Sequence, residues 1–407
     1  MRPVLKRVML RIPLLNLILR GGVPSFYHLL GALVVVGLGI GLIAPSEQKA
    51  YQPQPQEQVI SAAEFSRMIR EFSEEEGYFL SDNFVSNETS YLHVLGKLEE
   101  LASTGEGAYI GVGPEQNFSY IAKIRPKIAF IVDIRRQAMI QQLMYKAIFH
   151  LSENRAQFLS RLFSKPLGGE NPPGSDTSLP DLVSYFERTP GTEETFRENL
   201  GIIEKTIQTD FQFPLSPDDR TALEYVYAVF WEENLEIRFW FRGRWSWGRF
   251  PTLRGMILEK DLQGQLGNFL AQEKDYQFVR ELHLRHRIIP VVGDFSGDKA
   301  LATVGDYLRE NGYSVNVFYT SNVEQYLFRS GIFEAFAENV RRLPIDEKSL
   351  FIRAFTGLGG LHPARVPGHR LSTILQKMTV FLEDYDQNLY PDYWALLTTN
   401  FIAGNQP

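Results

Sequence analysis

The stretch AYIGVGPEQNFSYIAKIRPKIAFIVDIRR, residues 108–136, decides the fold class. It opens with a short apolar strand signal at Ala108–Val112 that runs into a turn containing Gly111 and Gly113. After Pro126 comes IAFIVDI (128–134), rich in Ile, Val and Phe like a parallel strand buried on both faces. This second strand ends on Asp133, twenty residues after Gly113. That is the layout of a nucleotide-binding βαβ unit: the glycines let the backbone approach a ligand, and the acid accepts both ribose hydroxyls. Pro114 and Glu115 follow Gly113 in place of a full GxGxxG. An acid at the turn disfavours a pyrophosphate and favours a nucleoside without phosphates. A plain tight turn and a helix-capping Asp133 are the competing structural explanation.

Outward from this unit the alternation continues. RRQAMIQQLMYKAIFHLS (135–152) reads as an amphipathic helix, and RIIPVVGD (287–294) and YSVNVFYTSN (313–322) as strands flanking a helix at 297–312. SLFIRAF (349–355) adds a strand, and LSTILQKMTVFLEDYD (371–386) a closing helix. Upstream, 61–77 and 81–103 read as helices, the acidic run SEEEG (73–77) being a solvated helix end. Residues from about 155 to 285 read as a mostly helical insertion. The expected fold is α/β: a Rossmann-like parallel sheet with helices on both faces.

The N-terminus differs in kind. Arg2, Lys6, Arg7, Arg11 and Arg20 precede FYHLLGALVVVGLGIGLIA (26–44), an uncharged run about as long as a helix needs to cross a bilayer. The basic flank predicts a cytoplasmic N-terminus and an extracytoplasmic domain, hence a single-pass cell-membrane protein. A cleaved signal peptide, giving a secreted protein, and a mis-assigned start are the rival readings. Residues 1–45 are thus flank and anchor, 46–58 a Pro/Gln-rich linker, and 59–407 the α/β domain. A net charge of −6 gives no basic footprint for nucleic acid, and the absence of cysteine excludes thiolate metal sites, disulfides and Cys nucleophiles.

Two further constellations point to the same sheet edge. VVGDFSGDKAL (291–301) places Gly293 and Asp294 at a strand tip, where Asp294 suits an adenine amino group; a turn-forming Asp is the bland alternative. VFYTSNVEQYLF (317–328) places Tyr319, Ser321 and Asn322 after a later strand, over the same cleft. In SDNFVSNETSY (81–91), Asn87 and Glu88 either cap a helix or line the acceptor side.

These segments resemble a bacterial family of uncharacterised methyltransferase-like proteins and, more broadly, the class I S-adenosylmethionine-dependent methyltransferase fold. The resemblance implies S-adenosylmethionine as cofactor, without a metal, and an unknown methyl acceptor. It implies Gly111 and Gly113, with Glu115 and Asn117 of the same turn, on the methionine side. Asp133 would hold the ribose, and Gly293 and Asp294 the adenine end. Asn322, Tyr319 and Ser321 would stand near the transferred methyl, with Asn87, Glu88 and Arg135 toward the substrate. Two departures stand out: Tyr109 and Ile110 occupy the place of the usual first-motif acid, and no Asp/Asn-Pro-Pro-aromatic motif is present. An exported domain would also lie where that cofactor is not normally supplied. A non-catalytic nucleoside-binding or envelope-interaction protein retaining the fold is therefore the alternative.

Outside these motifs, IRFWFRGRWSWGRF (237–250) interleaves Arg with Trp and Phe and reads as a packed hairpin, a lid or a lipid contact. His283 and His286 read as an exposed basic helix end, and His362 and His369 as part of a loop beside the cleft.

Overall fold

A computed structural model describes residues 59–169, 171–239, 250–355 and 361–404. Both βαβ strands form. β1 (Ala108–Gly111) and β2 (Ile128–Asp133) pair in parallel, with Ile110 opposite Phe130, and every residue of both is buried. β3 (Ile288–Val292) pairs with β2, and β4 (Val315–Ser321) with the other side of β1. β5 (Leu350–Phe355) continues the parallel run; β6 (Ser372–Lys377) and β7 (Ile402–Ala403) are antiparallel additions at that edge. The sheet order is β3-β2-β1-β4-β5-β6-β7. The chain winds outward from β1 to β3 and then returns to start the other half at β4. That reversal is the topological switch point of a Rossmann-like sheet, the place where open α/β sheets bind ligands.

The helix expected over 135–152 forms as Arg136–His150, but it is buried on nearly all sides and not on one face alone. It packs on β2 and β3 and is covered in turn by the helices Glu193–Thr209, Pro217–Glu233 and Glu273–Leu284. Its polar residues Gln141, Gln142 and Lys146 are therefore interior. Three other boundaries also differ from expectation. The first helix stops at Phe72, not Gly77, after burying Phe65, Met68, Ile69 and Phe72 as its spacing predicts. Of 81–103, only Leu95–Leu101 is an α-helix; upstream of it the Ser81 and Asp82 carbonyls accept from Arg135 and the Glu88 carboxyl from Ser321, so distant partners hold the chain there. Residues 371–386 divide into β6 and the helix Met378–Asp386; Ser372–Lys377 finds an edge to pair with in β5, and tertiary pairing overrides the helical reading.

Residues Val59–Pro407 make up one compact unit. The apolar run 26–44 lies outside the described residues, as do Trp240–Arg249 of the Arg/aromatic segment. Among the described residues no helix is long and apolar enough to cross a membrane.

Candidate functional site

The turn after β1 is built by three residues. Gly113 adopts φ +84°, a conformation that glycine tolerates without strain, and a Cβ there would point into open space. Gly111 is needed for a different reason: a Cβ would overlap Asn117 Oδ1 and the Tyr109 ring. Asn117 is fully buried, donating to the carbonyls of Val112 (2.9 Å) and Pro114 (2.8 Å) and accepting from the Tyr109 hydroxyl (2.7 Å). Asn117 thus braces the turn from inside, and the space at Gly111 is filled by the protein's own side chains.

Glu115 sits at the start of the next helix, Gln116–Ile124, without capping it. Its carboxyl is buried, and Oε2 has no hydrogen-bond partner among the described residues. Burial pushes its pKa up to about 7, against the opposing pull of the Glu115 and Ser86 backbone amides. Beside it, Gln142 Nε2 donates to Gly113 O (3.0 Å), which leaves Gln142 Oε1 buried and unpaired as well. Excess acceptors without donors mark a place where a donor-rich or cationic group would be welcome.

A second buried carboxyl, Glu88, stands at the switch point between β1 and β4. Ser321 Oγ, the Tyr319 hydroxyl and Gln116 Nε2 (3.1 Å) donate to it. Gln116 Nε2 also donates to the Tyr319 hydroxyl. Burial raises the Glu88 pKa, and the three donors only partly oppose it. Ser321 reaches inward because β4 carries a bulge between Tyr319 and Ser321 and because Ser321 itself has φ +55°. Strain of this kind in a non-glycine residue clusters at functional sites. Asn322 follows at the helix start with its side chain free of the cap, accepting only a long contact from Ser321 Oγ (3.3 Å). Asn87 is half-buried beside Glu88 in the chain. The sequence-derived acceptor group Glu88, Tyr319 and Ser321 is therefore one hydrogen-bonded cluster, joined by Gln116, which the sequence reading did not single out.

The nucleoside side is arranged differently. Asp133 ends β2, but Arg135 grips both its oxygens, Nε to Oδ1 at 2.9 Å and Nη2 to Oδ2 at 2.8 Å. The same guanidinium donates to the carbonyls of Ser81 (3.2 Å) and Asp82. Asp294 accepts from Ser296 N (2.8 Å) and Oγ (2.7 Å), the turn-forming arrangement. Gly293 is required by packing, since a Cβ would overlap that of Ala300. The acidic run expected in solvent supplies the largest surprise. The Glu74 carboxylate accepts from Asp294 N (3.2 Å), Lys299 N (3.1 Å) and Ala300 N (2.5 Å), sitting on the N-terminus of the helix Ala300–Glu310. No local pattern announces this contact, because its partners are more than two hundred residues away.

The histidines lie elsewhere. His283 is buried against Phe149 (4.5 Å between ring centroids), not exposed, because Glu273–Leu284 packs on the interior helix. His362 is also buried and pairs with Leu397 O (3.0 Å), while His369 packs on His93 (4.4 Å). Among the described residues no group of three His, Asp or Glu is placed to hold a metal ion.

Fold and site together define a Rossmann-like α/β protein with a buried carboxyl cluster at its switch point. The chain belongs to a family defined by a domain of unknown function, DUF7790, whose model matches residues 83–166 and 223–400. The two matched blocks contain β1 to β6 and the Glu88 cluster; the gap between them contains the helices Leu179–Arg188 and Glu193–Thr209. No curated protein matches the chain.

Proposed function

We propose that this protein is a methyltransferase-like binder of S-adenosylmethionine, held to the cell membrane through residues 26–44, with its ligand at the switch point. The observation that carries the reading is the buried Glu115 carboxyl beside the Gly113 turn, whose Oε2 has no hydrogen-bond partner among the described residues. A sulfonium and an ammonium on one ligand would supply the positive charge and donors that Glu115 Oε2 and Gln142 Oε1 lack. When bound, that ligand supplies an electrophilic methyl group. The chain's own contribution would be Glu88, which can take up a proton through Ser321 or Tyr319 from an acceptor lodged beside Asn87 and Asn322. A calorimetric titration of the full chain with S-adenosylmethionine and S-adenosylhomocysteine tests this. Micromolar binding of S-adenosylmethionine weakened at least tenfold by Glu115→Gln is expected; no heat at millimolar ligand refutes it.

A second reading is favoured by one observation. The ribose-holding position at Asp133 is filled by Arg135, so the fold is also suited to a protein that keeps the scaffold and binds a nucleoside or an envelope partner without chemistry. Binding of S-adenosylhomocysteine or adenosine without methyl transfer to any acceptor supports that alternative.

A further inference from the structure

We infer that residues 73–80 are a flap latched over the nucleoside side of the cleft, and that ligand entry requires its release. The inference rests on the proposal that this sheet edge is a ligand site. The segment crosses the carboxyl ends of two strands: Glu74 N donates to Val292 O and Gly77 N to Ile134 O, both at 2.8 Å. It thereby lies across the strand ends that carry Asp133 and Asp294, the two acids that a nucleoside would need. Its hold is polar and concentrated. Glu74 occupies the Lys299 and Ala300 amides at the start of the helix Ala300–Glu310 and the Asp294 amide in the turn before it, and Lys299 Nζ returns a bond to Ser73 O (2.6 Å). Arg135 ties the far end by joining Asp133 to the Ser81 and Asp82 carbonyls.

The apolar contribution to this hold is small. Tyr78 is 70% exposed and Leu80 49% exposed, and only Phe79 packs inward, edge-on to Tyr326 at 5.2 Å. From Ser81 onward the chain is different, since Ser81, Asp82, Phe84, Val85 and Glu88 are all buried. A segment with few buried apolar contacts, fixed at its ends by charged groups, opens at a lower free energy than the core that it rests on. The boundary at Ser81 is where the opening would stop. A ribose that displaced Arg135 from Asp133 would remove one latch, so binding and opening are coupled.

The test uses the full-length chain, which has no cysteine of its own. A Cβ on Gly77 would lie 3.8 Å from the Cβ of Ile134, the separation of a disulfide. The pair Gly77→Cys and Ile134→Cys therefore locks the flap when oxidised and frees it when reduced. Hydrogen exchange compares the Gly77 amide with the Ala129 amide of β2, which donates to Arg287 O. In the wild-type chain Gly77 should exchange at least ~100-fold faster than Ala129, and Glu74→Gln should speed Gly77 about tenfold further while leaving Ala129 unchanged. Oxidation of the double variant should weaken S-adenosylhomocysteine binding at least tenfold, and a reductant should restore it. Equal exchange of Gly77 and Ala129 overturns the flap, as does equal binding by the oxidised and reduced forms. Absence of binding by the reduced form overturns the ligand reading instead, and the exchange comparison still decides the flap.

Discussion

Replacing Glu115 by glutamine removes one ionisable group from the switch point while keeping the shape of the side chain. Burial pushes the Glu115 pKa up to about 7 from an ordinary 4.5. Between those two values the folded protein holds a proton that the unfolded chain has already released. Stability from this group therefore falls as pH rises through the window, with no penalty below pH 4.5 and the full penalty above pH 7. The gap corresponds to about 3 kcal/mol, an upper figure because a buried carboxylate recruits whatever donors can move. Glutamine has no such penalty at any pH. The variant's advantage over the wild type should be smallest near pH 5 and grow to between one and about 3 kcal/mol at pH 8. Urea unfolding of the full-length chain from pH 5 to 8.5 measures this as a difference between the two proteins. Taking the difference matters, because burial lowers His93 to about 4 and His286 to about 3, so both lose stability as pH falls in either protein. A difference that stays constant within about 0.5 kcal/mol across the range would show that Glu115 is paired or hydrated, and the argument for an unsatisfied carboxyl would fail.

Arg135→Ala leaves Asp133 buried without its partner and releases the Ser81 and Asp82 carbonyls, so thermal and urea unfolding should register a loss of about 3–5 kcal/mol. Gly293→Ala drives a methyl group into Ala300 Cβ and against Val132 Cγ1 (3.1 Å), and should cost about 1–3 kcal/mol with the helix Ala300–Glu310 displaced. Lys146 is buried with its ammonium over Phe65 (4.4 Å) and Phe211 (4.8 Å), and burial holds its pKa well below the usual lysine range. The unfolded chain binds that proton more readily, so Lys146 destabilises the fold at neutral pH and ceases to do so above pH 10. Lys146→Met should raise the melting temperature at pH 7, with a gain that shrinks as pH approaches 10; a lower melting temperature at both values counts against it. Deleting residues 1–45 should move the chain from the membrane fraction to the soluble fraction, whereas continued sedimentation with membranes would point to attachment through the domain.

The parts of this molecule that were legible in the sequence are those fixed by local chemistry. Ile128–Asp133 is apolar throughout and could be little else than a strand covered on both sides. Gly113 had to be glycine because its turn needs φ +84°. Phe65, Met68, Ile69 and Phe72 fall on one helical face whatever that face meets. The switch-point cluster was also half visible, since Glu88, Tyr319 and Ser321 each stand in a polar motif at the end of an element. What joins them is Gln116, which meets Tyr319 across two hundred residues of chain, and a bulge where β4 pairs with β5.

Partner choice was decided only by the tertiary structure. A carboxylate in a sequence states a charge and a reach, and the fold determines which donors come within that reach. Asp133 looks free for a ribose until Arg135 closes on it. Glu74 looks solvated until the helix Ala300–Glu310 presents its amides, and Lys146 looks like a surface residue until three helices cover its face. Backbone conformation and apolar periodicity are properties of neighbouring residues, so the sequence carries them directly. Burial and hydrogen-bond pairing depend on which distant segments meet, and so the sites of altered charge emerge only when the chain has folded.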